Sequence, residues 1–147
     1  MINIPEILHQ MTANAEAIRA LVQAFPDKHA LWKPTPETWA MKDVMEHVYN
    51  EERIDFRMHL KEMFGESPQA RVYVPVKGCR QALEDFLSER KVSIEWLQAL
   101  QSPDWEITKQ LNFGPNETMT IRADEMLLSW IEHDYLHMRQ MVELLHI

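Results

Sequence analysis

The chain has 147 residues and a formal net charge of −8, with 46% apolar and 26% charged side chains. That length suits one domain, residues 1–147, able to bury a real core. The acidity suits the chain poorly to gripping phosphate backbones, which needs clustered Lys and Arg, and argues against docking on anionic lipid.

The single cysteine, Cys79, excludes an internal disulfide and any cysteine-based zinc cluster. No apolar run approaches the ~20 residues of a membrane span. The opening residues carry Pro5 and Glu6 but no basic stretch, so they do not read as a signal peptide. The expectation is a cytoplasmic protein without nucleic-acid or membrane partners. Only three glycines interrupt long stretches of Ala, Leu, Met, Glu, Gln, Lys and Arg. These residues lose little side-chain freedom in a helix, so the composition favours an α-rich fold.

The first helix is expected from about Ile4 to Phe25, with Asn3 and Glu6 at capping-box spacing and Pro5 in the first turn. Ile4, Ile7, Leu8, Met11, Ala15, Ile18, Val22 and Phe25 form its apolar stripe. Pro26 and Asp27 end it, and Pro34-Thr35-Pro36 enforces extended chain. A second helix spans about Ala40 to Phe64, with Val44, Met45, Val48, Ile54 and Met58 inward; Gly65 and Pro68 close it. Arg71 to Gly78 reads as an extended loop packed over the helices. A third helix runs from about Cys79 to Gln101 and stops at Ser102-Pro103. Gly114-Pro115-Asn116 is a turn signal, flanked by Ile107-Thr108 and Met119-Thr120, which could pair as a small hairpin. The fourth helix runs from about Thr120, its expected N-cap, to His146. Four such helices make an all-α four-helix bundle. The long loop between the second and third leaves the connection between them open.

Seven histidines are present, and two of them, His133 and His137, lie four apart on the fourth helix. Four residues turn ~400° and rise ~6 Å, so both imidazoles leave one face a turn apart and could share one divalent ion. Trp130, His133, His137 and Met141 share an inward stripe, where two neutral imidazoles need polar partners. A metal ion is one such partner; hydrogen bonds without metal are the other. A third ligand should come from another helix. His47 borders the apolar face of the second helix and is the best candidate. His59, beside Lys61 and Glu62, reads as solvated; His9 as core-edge; His29 as loop; and His146 as terminal. Glu51 follows His47 by one turn and could be a general base, a further ligand or a solvated carboxylate. Asp134 is rotated ~100° from His133, which suits a structural contact instead. Trp39 and Trp130 are core or pocket walls.

Two stretches carry a resemblance: Trp32 to His47 (WKPTPETWAMKDVMEH) and Trp130 to Gln140 (WIEHDYLHMRQ). The chain resembles the DinB-like, damage-inducible or YfiT-like, metalloenzyme family over nearly its whole length. The resemblance implies a four-helix bundle with a long crossover between helices 2 and 3, and a metal held by His47, His133 and His137. It also implies a homodimer. One departure is Ala40, where members usually carry Ser or Thr; loss of such a cap costs ~1 kcal/mol.

Three imidazoles on one ion leave a coordination position open, as catalytic sites do. Zinc or nickel fits foremost, with iron or manganese also compatible. Characterised relatives use low-molecular-weight thiols, which implies a metal-dependent S-transferase acting on a small-molecule substrate, with Glu51 as the catalytic candidate. Metal-dependent hydrolysis and a non-catalytic, stress-related metal- or ligand-binding role are the alternatives.

Overall fold

The computed structural model describes residues 2–146 and, at Phe113, the backbone alone. Helix α1 (Ile4–Ala24) is followed by a 3-10 turn (Asp27–His29). Helix α2 (Met41–Glu51), a π-helical turn (Glu52–Phe56) and α3 (Arg57–Met63) form one continuous rod. Then come α4 (Cys79–Ala99), strands β1 (Thr108–Gly114) and β2 (Glu117–Arg122), and α5 (Ala123–Leu145). The protein is thus mostly helical, with the four helical rods expected and a small two-stranded sheet where the turn signal allowed a hairpin.

Local sequence sets these boundaries. Asn3 Oδ1 accepts the Glu6 N–H at 3.2 Å, a direct N-cap. At Ala40, where no side-chain cap exists, the Asp43 carboxylate instead accepts the Ala40 N–H at 2.9 Å. Half of a capping box therefore survives the missing Ser or Thr.

The π turn explains a misplaced stripe. Ile54 and Met58, expected inward, are only half-buried, whereas Val48, Glu52, Phe56, Leu60 and Met63 are buried. Three successive steps of four residues would over-rotate an α-helix by ~120°. The wider π turn unwinds that drift and keeps these positions on the core.

The hairpin forms where the turn signal stands, and Gly114 (φ 156°) and Asn116 (φ 67°) supply the positive φ it requires. Thr120 pairs with Gln110 inside the sheet. It is therefore not the cap of the last helix, which begins at Ala123 after the Arg122 N–H donates to Glu125 Oε1 at 3.0 Å. Leu111 and Ile121 bury against the helices, which gives the hairpin a reason to fold.

Helices α4 and α5 each pack on both α1 and α2. One apolar cluster joins Ile18, Val22, Met41, Val44, Met45, Leu83, Phe86 and Met141. A second joins Leu8, Met11, Phe56, Leu60, Leu97, Leu127 and Trp130. The start of α2 thus meets the start of α4, and α3 meets the end of α4. Residues 64–78 return along the outside of α2. Asn50 donates to Val74 O (2.9 Å) and accepts the Val74 N–H (2.8 Å), while Glu46 accepts the Val76 N–H and the Tyr73 hydroxyl, both at 2.8 Å. These side chains do the work of a neighbouring strand, so the segment stays an extended loop, as the sequence suggested.

Between the clusters lies a buried polar layer built from all four rods: Asn14, Glu52, Arg90 and Asp134. Arg90 donates to Glu52 from Nε and Nη2 (both 2.9 Å), to Asp134 from Nη2 (2.7 Å) and Nη1 (2.9 Å), and to Met11 O at 3.0 Å. All five guanidinium donors are used. Trp130 Nε1 donates to Glu52 at 2.8 Å and Asn14 to Asp134 at 3.1 Å. Asp134 therefore makes the structural contact expected of it. Among the described residues, no helix is long and apolar enough to cross a membrane.

Candidate metal centre

His47 projects from α2, and His133 and His137 from successive turns of α5, which packs on α2. The fold brings the three together. Their ligand atoms all lie within 4.8 Å of one another. His133 Nε2 is 3.1 Å from His47 Nε2 and 2.9 Å from His137 Nε2.

Hydrogen bonding alone does not satisfy this cluster. Each neutral imidazole has one proton and one in-plane lone pair, and three Nε2 atoms converge on the same space. His133 Nε2 has a single site facing two nitrogens, so one close contact is left without a proton or an acceptor. Three lone pairs on a divalent ion resolve the conflict. With N–metal distances of ~2.0–2.1 Å, ligands at right angles stand ~2.9 Å apart and tetrahedral ones ~3.3 Å. The two observed separations fall at and between these values. The residues fit a metal, and the third donor set member is the expected one.

The electrostatics keep the donors ready. Burial, with the His137 charge adding to it, pulls His47 down from 6.5 to about 4. Burial and the two neighbouring histidines take His133 down to about 3. Burial also lowers His137, against the opposing hydrogen bond to Gln140. All three are neutral near pH 7, as ligation requires. His137 Nδ1 lies 2.5 Å from Gln140 Oε1. A proton on Nδ1 donated to that oxygen leaves the Nε2 lone pair facing the cluster.

A chain of acidic groups borders the triad along one face of the α2–α3 rod. Glu51 Oε1 stands 3.8 Å from His47 Nδ1, too far for a hydrogen bond but close enough for charge to matter. Burial, then a hydrogen bond and repulsion from Asp55, push the Glu51 carboxyl up to about 9. Burial also pushes Asp55 upward, but hydrogen bonds from His59 and Glu51 outweigh it and hold that carboxyl below its ordinary range. Asp55 Oδ1 is 2.6 Å from His59 Nδ1. His59 is therefore buried and paired, which corrects the expectation that it is solvated. The π turn accounts for the error, since the phase of α2 does not carry through to α3. His9, His29 and His146 stay outside the triad.

Aromatic rings enclose the site. Trp39 lies parallel to His137, with centroids 6.3 Å apart, and 5.0 Å from His47. Phe56 sits 5.0 Å from His133 and stacks on Trp130, which is buried. Trp39 is 42% exposed and walls a cavity of about 510 Å³ shared with Pro34, Thr38, Val44 and Gln140. Sequence reasoning missed Asp55, Phe56 and Gln140. Gln140 is three residues after His137, a spacing that places it on the same face. Asp55 stands four residues after Glu51 and four before His59, a spacing that also carried the signal. Cys79 is buried and its thiol is pushed up to about 11, so it is a poor nucleophile.

No curated protein matches the chain. A crystal structure of a DinB-like protein from Bacillus cereus ATCC 10987 has the same fold, with a TM-score of 0.69 and 18% identity over 95% of this chain and 89% of that one. A model of the DinB superfamily matches residues 10–141, which include both helices that carry the histidines. The chain therefore belongs to the DinB superfamily.

Proposed function

We propose that His47, His133 and His137 bind one divalent metal ion and that the protein is a metal-dependent transferase using a low-molecular-weight thiol. The convergence of three Nε2 atoms with 2.9 and 3.1 Å separations carries the metal reading. An ion held by three imidazoles keeps a position open, where it supplies the Lewis acidity that polarises a thiol or a water molecule. Zinc or nickel suits the all-nitrogen donor set, and iron or manganese is also compatible with it. The thiol follows from characterised relatives and rests on analogy with them.

The chain's own groups take the remaining tasks. Gln140 fixes the tautomer and plane of His137. Glu51, beside His47, holds or accepts a proton at its carboxylate as a thiol or water loses one. Trp39 and the cavity beside it offer an apolar wall to a small-molecule substrate. We read residues 1–147 as one domain and residues 64–78 as the crossover that lets α2 and α4 run in the same direction.

Elemental analysis of the wild type beside His47→Ala and His137→Ala tests the site. One ion per chain, lost in both variants, is the expected result; full occupancy in either variant overturns the triad. Conjugation of an electrophile such as monochlorobimane to cysteine, cysteamine and glutathione tests the reaction. A metal-dependent rate with at least one thiol is expected. Ester hydrolysis without any thiol would favour the hydrolase reading, and neither activity in the metal-loaded protein would leave a binding role.

A further inference from the structure

Beside the metal centre lies the hollow of about 510 Å³ that Trp39 walls, the size of a small-molecule site. The loop before α2 contributes Pro34, Glu37, Thr38 and Trp39 to it, α2 contributes Val44, and the end of α5 contributes Gln140, Glu143 and Leu144. Two of these residues touch a metal-ligand candidate. The Trp39 ring lies parallel to His137, and Gln140 Oε1 meets His137 Nδ1 at 2.5 Å. A molecule in the hollow is therefore a neighbour of the triad.

The walls sort small molecules by charge. Among the described residues that line the hollow, the charged ones are Glu37 and Glu143, both exposed, and no Lys, Arg or His joins them. Lys33 and Arg139, which adjoin wall residues in the chain, are drawn elsewhere. Lys33 stands 3.8 Å from Asp43, and Arg139 stands 3.5 Å from Glu143 itself. That second pair is exposed and weak, so it offsets Glu143 only in part. The last turn of α5 carries no basic side chain, which leaves the negative end of the helix dipole at the hollow. The Trp39 indole, 42% exposed, adds a ring face that attracts cations and repels anions. Ring face, two carboxylates and helix end favour the same ligand group, an ammonium, and all of them oppose a carboxylate.

We propose that this hollow selects a cationic amine, held by Trp39, Glu37 and Glu143, which makes the protein's thiol an aminothiol and turns away carboxylate-bearing thiols such as glutathione. The thiol half of this statement rests on the transferase reading above; the selection of an amine does not. Phenethylamine and 3-phenylpropionate share a ring and a short chain but carry opposite charge at pH 7. Each is titrated into the full chain, metal-free and metal-loaded, and followed by the Trp39 indole N–H resonance, assigned with Trp39→Phe. Phenethylamine should bind about tenfold more tightly in both forms. Glu37→Gln with Glu143→Gln should bring the two affinities within about twofold of each other. Glu16→Gln with Glu117→Gln, exposed residues outside the hollow, removes the same charge and should leave the preference intact. Equal affinity for the two probes in the wild type, or a preference that survives the first double variant, overturns the proposal. In the metal-loaded protein, the rate over the uncatalysed reaction should be about tenfold higher with cysteamine than with 3-mercaptopropionate. If thiols react without that preference, the aminothiol assignment fails while the transferase reading stands. If no thiol reacts and the probe preference holds, the transferase reading fails while the selection of amines stands.

Discussion

Arg90→Met tests whether the buried polar layer holds the four rods together. Arg90 is 2% exposed and sends all five donors to Glu52, Asp134 and Met11 O. Methionine fills much of the space left by the stem but none of the charge. Two carboxylates are then left in the core with one guanidinium fewer, and only Trp130 and Asn14 still donate to them. Breaking a buried ion pair from one side costs about 3–5 kcal/mol, because the surviving charge stays desolvated. For a chain of this size about 2–4 °C of melting temperature follows each kcal/mol, so Tm should fall by about 6–20 °C. Arg19→Met is the control. Arg19 meets Glu16 at 3.4 Å with its side chain 37% exposed, so its loss should cost below ~1 kcal/mol. The assay is thermal unfolding followed by circular dichroism, with urea unfolding as a check on two-state behaviour. If Arg90→Met costs no more than Arg19→Met, the layer is not a structural tie and the reasoning fails.

Two further outcomes follow from the metal centre. In the metal-free protein His47 and His133 titrate near 4 and 3 when folded, against 6.5 in the unfolded chain. The unfolded state therefore takes up protons first, and stability should fall as pH drops from about 6.5 towards 4, with no such loss above 6.5. His47→Gln should show a shallower decline in urea midpoint over that window; equal slopes would refute the lowered values. Glu51 carries its proton near neutral pH when no metal is present, so Glu51→Gln keeps the hydrogen bond to Asp55 and should leave Tm within the range of a surface substitution. Metal content should be retained, while the thiol-dependent rate falls about 100-fold or more if Glu51 moves a proton. An unchanged rate would remove Glu51 from the chemistry.

Helices, the cap of the first one and most of the core were legible because they depend on neighbours three and four residues away. Asn3 caps α1, Ile7 to Val22 face inward, and the Gly114–Asn116 turn nucleates a hairpin, all from local chemistry. The pairing of His133 with His137 was legible for the same reason, since one turn of helix fixes it. His47 was less so: it was the best of several candidates and was singled out by the resemblance, and it is the packing of α2 on α5 that brings its Nε2 within 3.1 Å of His133 Nε2. Nor could the sequence reveal the π turn, within which Glu52 meets Arg90 and Phe56 stacks on Trp130. Beyond it His59 is buried and pairs with Asp55, four residues back. Periodicity records what one helix does with itself. Where two helices compete for the same register, only the contacts between them decide.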